Sequence, residues 1–360
     1  METIKLSNGI EMPLLGYGVF QVPPEEAERC VGDSLSVGYR LIDTAQAYYN
    51  EEGVGAAVAK FGIPREDLFL VTKVWVSNNG EERAADGDPW DLISYKVKAQ
   101  AALPIVDIIT LAATGSEFDC GGVISRTETN DKIGYMDRHL FPAVSFLDPT
   151  YTFSVSKKQT AAGIADAMNH TIEQYFTEDT TLLNDGFCES MLRSLMENGR
   201  KCIANPEDYK ARAEMMLACT YGCNGILALG NSESGWPCHG IEHALSAYYD
   251  ITHGEGLAII TPRWMKHILN EHTLPRFVKY GINVFDIDPS LTQWEIANQA
   301  IEATYAFFES INIPMHLREV GIDESRLDEM AHHIAVNEGL ENAYAPLTEQ
   351  DIKQILVDSL

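Results

Sequence analysis

Asp166 and His170, in ADAMNHTIEQYF, are four residues apart, so on a helix both side chains point the same way. His239 and His243 repeat that spacing in CHGIEHALSAYYDITHG, and His253 follows ten residues after His243, where a helix is predicted to begin. One carboxylate with several imidazoles suits a catalytic divalent ion that keeps one coordination position for substrate. Such an ion would polarise a substrate oxygen. A lone His or Asp on a helix is more often packed or solvated, so the reading rests on the whole set.

The elements that must position these residues follow from periodicity. From Ser156 onward, SKKQTAAGIADAMNHTIEQYF, EDYKARAEMMLACTYG, HGEGLAIITPRWMKHILNEH and LTQWEIANQAIEATYAFFESI all space apolar residues by three or four. PLTEQDIKQIL opens on a T-x-x-D capping box. Residues 156–360 therefore read as an all-helical metal-binding and catalytic domain. Residues 1–80 alternate differently: LLGYGVF, YRLIDTA and LFLVTKVWV read as strands, with helical PPEEAERCVGDSLSVG and NEEGVGAAVAKFG between them. Strand, helix, strand in this order predicts parallel βα units. Residues 81–155 begin with a polar hinge, EERAADGDPWD. Two further strands follow, in ALPIVDIITLAATGSE and AVSFLDPTYTF. The predicted fold is an α/β N-terminal part of parallel βα units, followed by an all-α metal-binding domain.

Bulk composition narrows the function classes. The 360 residues carry 26 Lys and Arg against 53 Asp and Glu, a net charge of −27, with an isoelectric point near 4.6. Such a surface repels nucleic acid and anionic membranes. No run of eighteen apolar residues is present, and METIKLSNGIEMP has no apolar signal core. The seven cysteines form no C-x-x-C pair and read as reduced thiols. Cys219 and Cys223, four apart, are the one pair spaced for joint ligation, although buried thiols are the commoner outcome. These features predict a cytoplasmic enzyme with a small-molecule substrate.

Residues 84–360 resemble the iron-containing alcohol dehydrogenases, closest to the butanol-dehydrogenase-like branch. The resemblance rests on GDPWDLI, TLAATGSEFDCGGVIS, LDPTYTF, QTAAGIADAMNHTIEQYF and HGIEHALSAYYDITHGEGLAIITP, in that order. It implies Asp166, His170, His239 and His253 as ligands of Fe(II) or Zn(II), with His243 beside the metal as a proton shuttle. An unperturbed imidazole titrates near working pH, which suits that role. It also implies an NAD or NADP cofactor touched by Thr110, Thr114, Gly115, Ser116, Lys132 and Leu147, an alcohol or aldehyde substrate, and a homo-oligomer. His139, His267, His272, His316, His332 and His333 are left as structural or solvated, His267 being the one nearest to a cleft role.

The beginning of the chain departs from that family, which opens with a nucleotide-binding sheet; the resemblance implies that this sheet is incomplete here, with residues 81–155 as the remainder of the nucleotide-binding domain. The family's GGGS turn, which holds the cofactor pyrophosphate, is absent. The one Gly-Gly pair, Gly121-Gly122, matches a different place. Residues 1–80 instead resemble the start of an aldo-keto reductase, through IKLSNGIEMPLLGYGVFQV, GYRLIDTAQAYYNEEGVG and REDLFLVTKVW. Asp43, Tyr48 and Lys73 match three of that family's four catalytic residues, but no histidine precedes His139 to supply the fourth. The two resemblances meet near Glu81–Asp88, which makes the chain a hybrid. The leading expectation is a metal-dependent oxidoreductase impaired in cofactor binding by the missing phosphate turn. The alternatives are aldo-keto reduction by Asp43, Tyr48 and Lys73, or metal binding without turnover.

Overall fold

The structure, a computed structural model, describes residues 2–5, 11–45, 48–72, 88–102, 104–232 and 234–360. The chain divides into two compact units, Met1–Gln100 and Ala101–Leu360.

The first unit holds an antiparallel pair, β1 (Thr3–Lys5) and β2 (Glu11–Pro13), and a parallel sheet of β3 (Gly16–Gly18), β4 (Leu41–Asp43) and β5 (Phe69–Val71) with β4 central. Helix α1 (Pro24–Ser36) joins β3 to β4, and α2 (Glu51–Phe61) joins β4 to β5. Pro24 fixes the backbone at the first turn of α1, where Glu25 and Glu26 meet the positive end of the helix dipole. Gly62 ends α2 in the left-handed conformation, φ 70°. Val19, Val31, Leu35, Ile42, Val54, Ala57 and Leu68 form its core. The parallel βα order expected from the alternation is thus present. Asp43 closes β4 and Tyr48 follows it. Lys73 lies outside the described residues, as do residues 81–87 at the junction of the two resemblances. A short helix, α3 (Pro89–Ile93), starts where the Asp88 carboxylate accepts the Trp90 N–H at 2.9 Å.

The second unit opens with two parallel neighbours, β6 (Val106–Ile108) and β9 (Val144–Phe146). Between them runs an antiparallel hairpin, β7 (Gly121–Arg126) and β8 (Asp131–Met136). The sequence reading did not anticipate this hairpin. Its first strand begins Gly-Gly, which weakens any strand signal, and its turn ends on Asn130 at φ 54°. The remainder is helical among the described residues: α4 (Lys157–Tyr175), α5 (Leu182–Ala204), α6 (Tyr209–Cys223), α7 (Pro237–Tyr249), α8 (His253–Ile268), α9 (Leu274–Phe285), α10 (Gln293–Ser310), α11 (Leu327–Asn337) and α12 (Glu349–Asp358). The predicted capping box at Thr348 and Asp351 is formed. Among the described residues, no helix is long and apolar enough to cross a membrane.

Helix α4 is the axis of this unit. Every residue from Thr160 to Tyr175 is buried, so the helix is enclosed on all sides, chiefly by α5, α6 and α8. Its N-cap Ser156 accepts the Gln159 N–H at 3.1 Å. The first turn of α8 lies directly on it: a Cβ added to Gly254 would stand 2.0 Å from the Ala162 carbonyl oxygen. Only a residue without a side chain lets the two backbones approach so closely. Gly254→Ala should lower the unfolding free energy by about 2 kcal/mol or more in urea titration, because backbone must move. Gly222→Ala in α6 is the contrast. Its nearest outside atom would be the His170 Cβ at 3.5 Å, and the change should stay within about 1 kcal/mol.

Candidate metal centre

Helices α4, α7 and α8 bring Asp166, His170, His239 and His253 together. The Nε2 atoms of His170, His253 and His239 lie 3.4, 3.7 and 3.8 Å from one oxygen, Oδ1 of Asp166. The His170 and His239 rings stack with centroids 4.9 Å apart, and His253 tilts against His239 at 5.3 Å. Four side chains from three helices therefore point their ligating atoms into one space. Ligand atoms bound tetrahedrally at about 2.1 Å stand about 3.4 Å from each other, so the observed spacing matches the donor set of a divalent ion.

The surroundings show the same preparation. Other polar groups of buried α4 find partners: Asn169 Nδ2 donates to the Ala165 carbonyl at 2.9 Å, and Gln174 Nε2 donates to the Gly222 carbonyl at 2.7 Å. Asp166 Oδ1, His239 Nε2 and His170 Nδ1 are buried without a hydrogen-bond partner. Native interiors rarely leave such groups unpaired. An ion between the first two would satisfy them, so the residues present fit a bound metal.

Two carboxylates stand behind the rings, and the sequence reading missed both. Glu173, one turn beyond His170 on α4, accepts from Nδ1 of His239 through Oε2. Its Oε1 accepts the backbone N–H groups of Cys238 at 2.6 Å and His239 at 3.2 Å. Pro237 and Trp236 leave the start of α7 without a cap of its own, and Glu173 supplies the anion from a neighbouring helix. Glu242, fully buried on α7, holds Nδ1 of His253 in the same manner. A carboxylate on one ring nitrogen fixes the tautomer and turns the other lone pair to a metal. Register puts each near the ligand face, Glu173 three residues after His170 and Glu242 three after His239, but does not show that either is buried or which ring it meets.

The electrostatics are those of a pocket short of positive charge. Once the imidazoles are neutral, as ligands must be, three buried carboxylates, Asp166, Glu173 and Glu242, face one ammonium, Lys132; three minus one leaves two negative charges for a divalent ion to balance. Burial opposes the charge on Asp166, yet His170, His239 and His253 hold its carboxyl well below the ordinary range. Burial also disfavours charge on His239, but Glu173 and Asp166 override it and raise the ring to about 10. His170 is pulled the other way, to about 4, by burial that Asp166 only partly offsets.

His243 lies beside the group, its ring stacked on His253 at 5.8 Å and 6.3 Å from His239. Both of its nitrogens are buried without a partner. Burial first, then the neighbouring His239, Lys132 and His253, hold it well below its usual value. The expectation of an unperturbed imidazole is therefore corrected: this ring is neutral at physiological pH.

The residues assigned to the cofactor are spread over the strand ends. Thr110 and Leu147, both exposed, follow the carboxyl ends of the parallel neighbours β6 and β9. Gly115 adopts φ 71°, and its missing Cβ would stand 2.6 Å from the Cys219 carbonyl oxygen. Thr114 and Ser116 flank it at the surface, the Thr114 hydroxyl accepting the Ser116 N–H at 3.3 Å. Lys132, on β8, reaches into the histidine group, 3.3 Å from Glu242 Oε2. The remaining histidines are engaged elsewhere: His139 with Asp137, His267 with Asp351, His272 with Glu178, His332 with Glu349 and His333 with Asp131, while His316 opens a short helical turn. All seven cysteines are free, and burial drives the Cys223 thiol up to about 12 and holds the Cys219 thiol well above its usual value, which removes them as thiolates.

Residues 160–360 match the C-terminal model of the Fe-containing alcohol dehydrogenase family, and residues 77–149 match the iron-containing alcohol dehydrogenase model. Residues 14–92 match the aldo/keto reductase family. The NADH-dependent butanol dehydrogenase A of Clostridium acetobutylicum is 47% identical over 276 residues, which are 76% of this chain and 71% of that protein. The NADPH-dependent aldehyde reductase YqhD of Escherichia coli is 35% identical over 67% of this chain and 62% of its own length. The crystal structure of the NADH-dependent butanol dehydrogenase A of Thermotoga maritima superposes with a TM-score of 0.75 at 26% identity, covering 96% of this chain and 97% of that one. The chain belongs to the iron-containing alcohol dehydrogenase family and is an oxidoreductase of that family.

Proposed function

We propose that the chain interconverts a small alcohol and its aldehyde, using NADH or NADPH and a metal ion held by Asp166, His170, His239 and His253. The observation that carries this reading is the convergence of three imidazole nitrogens on one buried, unpaired carboxylate oxygen. When bound, the metal supplies a Lewis acid for the substrate oxygen and the nicotinamide supplies or accepts the hydride. The donor set suits Fe(II) and Zn(II) alike, and Fe(II) is proposed from family membership.

The chain's own residues prepare the site. Glu173 and Glu242 keep the Nδ1 protons of His239 and His253 turned away from the pocket, leaving Nε2 to ligate. Asp166 stays ionised. His243, neutral and without a partner at either nitrogen, is the residue proposed to take the hydroxyl proton of an alcohol or return it. Thr110, Thr114, Gly115, Ser116, Lys132 and Leu147 are the proposed cofactor contacts. The carboxyl ends of parallel strands, where Thr110 and Leu147 lie, are where open α/β sheets bind ligands. The acidic surface and unpaired thiols suit the cytoplasm. We read the chain as a fusion, because the aldo/keto reductase and iron-containing dehydrogenase matches meet at residues 77–92.

Purified protein should contain stoichiometric metal by elemental analysis and reduce butanal with NADH or NADPH. His253→Ala should lose both metal and turnover, whereas Tyr48→Phe should change neither. Activity lost in Tyr48→Phe with metal retained would favour the aldo-keto reading instead.

Metal uptake should depend on pH with a fixed sign. In the metal-free protein His239 keeps its proton up to about 10, while His170, at about 4, has none near neutrality. Binding must expel the His239 proton. Affinity for Zn(II), measured by chelator competition, should rise about tenfold per pH unit between about 6 and 8. A flat profile would refute this protonation scheme.

Without the GGGS turn, nicotinamide binding measured by fluorescence titration should be weaker than in family members that carry it. An equally tight dissociation constant would contradict the role assigned to that loss.

A further inference from the structure

A second group of ligating side chains adjoins the first. Glu242, His243 and His253 hold three potential metal-binding atoms within 4.8 Å of one another. A cation already stands against this group, the ammonium of Lys132. Its Nζ is 2.6 Å from Ser246 Oγ, 3.3 Å from Glu242 Oε2 and 3.5 Å from His253 Nδ1. The Ser246 hydroxyl donates to the Glu242 backbone carbonyl at 3.1 Å, which turns its lone pairs toward the lysine.

The chemistry of this contact is one-sided. An ammonium has three donors and no acceptor, so it cannot accept a proton from His253. Lys132 and His253 Nδ1 meet on the same carboxylate oxygen, Oε2 of Glu242. That oxygen accepts from both, and His253 presents Nε2 toward Asp166. Glu242 is fully buried and the lysine side chain is only 14% exposed, so each depends on the other for charge compensation. A buried carboxylate that loses its partner leaves an uncompensated charge in a low-dielectric interior. The lysine comes from β8, 110 residues away in sequence, so the hairpin delivers it.

We propose that Lys132 is a positioning residue of the metal centre: its ammonium holds Glu242 in place, and Glu242 holds His253 in the ligating orientation. This rests on the metal reading above and extends it to a residue otherwise assigned to the nicotinamide. A lysine that only touches the cofactor would leave metal affinity unchanged in cofactor-free protein. A lysine that holds Glu242 would not.

The test is a Zn(II) titration of metal-free protein against a chromophoric chelator, with no nicotinamide present. Lys132→Met should raise the Zn(II) dissociation constant about 10- to 100-fold, the range seen when partners behind a ligand are lost. Glu242→Gln should weaken binding similarly. The double variant should be no worse than Glu242→Gln alone, because both act through one carboxylate. Co(II) loaded into Lys132→Met should show a visible spectrum shifted from the parent's. Thermal melting of the metal-free variants checks folding. Should Lys132→Met fail to fold, Ser246→Ala carries the test through a few-fold loss of affinity, and no loss overturns the proposal. Parent-like Zn(II) affinity in folded Lys132→Met, or losses that add in the double variant, also overturns it. A parent that takes up no Zn(II) sinks the metal reading itself, and the lysine's role with it.

Discussion

Asp166 is a carboxylate inside a helix that has no solvent-facing side. Sixteen consecutive residues of α4 are buried, and an ionised group there is tolerated only with compensating charge. The structure meets that demand by bringing α7 and the start of α8 to the same oxygen, each delivering an imidazole. The other features serve this arrangement. Gly254 lets α8 come close enough for His253 to reach, and Glu173 caps α7 while gripping His239. Packing alone would have filled these positions with apolar side chains, as it does at Ile164, Met168 and Ile172 on the same helix.

The ligand candidates were legible because helical geometry turns four-residue spacing into shared direction. Asp166 with His170 and His239 with His243 are such pairs, and the helices on which they sit were readable from apolar periodicity. What spacing could not convey was the layer behind them. Glu173 meets His239 across 66 residues, and nothing local marks a glutamate on an apolar-patterned helix as buried. Lys132 was read from the family resemblance, in a stretch to which no element was assigned, whereas the β7–β8 hairpin carries it to α7. His243 was given an ordinary imidazole's behaviour because burial is a tertiary property. The two first-unit helices, by contrast, were bounded by Pro23-Pro24 and Gly62, whose effects are local.

The matches to two families within one chain have a physical reading as well. Parallel βα units obey the same handedness whether they close into a barrel or open into a sheet. The β3–α1–β4–α2–β5 stretch needs only its own small core of Val19, Val31, Leu35, Ile42, Val54, Ala57 and Leu68 to be self-consistent. Local consistency of this kind says little about chemistry. Tyr48 and Asp43 sit on a sound βα frame, yet the frame supplies no histidine to act with them.

The division of labour follows from where the demanding groups lie. Every side chain of the metal cluster, together with Glu173, Glu242, Lys132 and Ser246, belongs to the unit Ala101–Leu360. Its polar interior is closed by contacts within that unit: α4 with α7 and α8, and β8 with α7. A change of sequence before residue 100 therefore leaves each partner of Asp166 in place. The residues that hold a cofactor's phosphates do not enjoy that independence, because a phosphate site is made of backbone N–H groups at one particular turn. A glycine turn cannot be replaced by side chains elsewhere as a charge can. The proposed metal site is thus the more robust part of this reading, and the proposed nicotinamide site is the more exposed to what stands at the N-terminus.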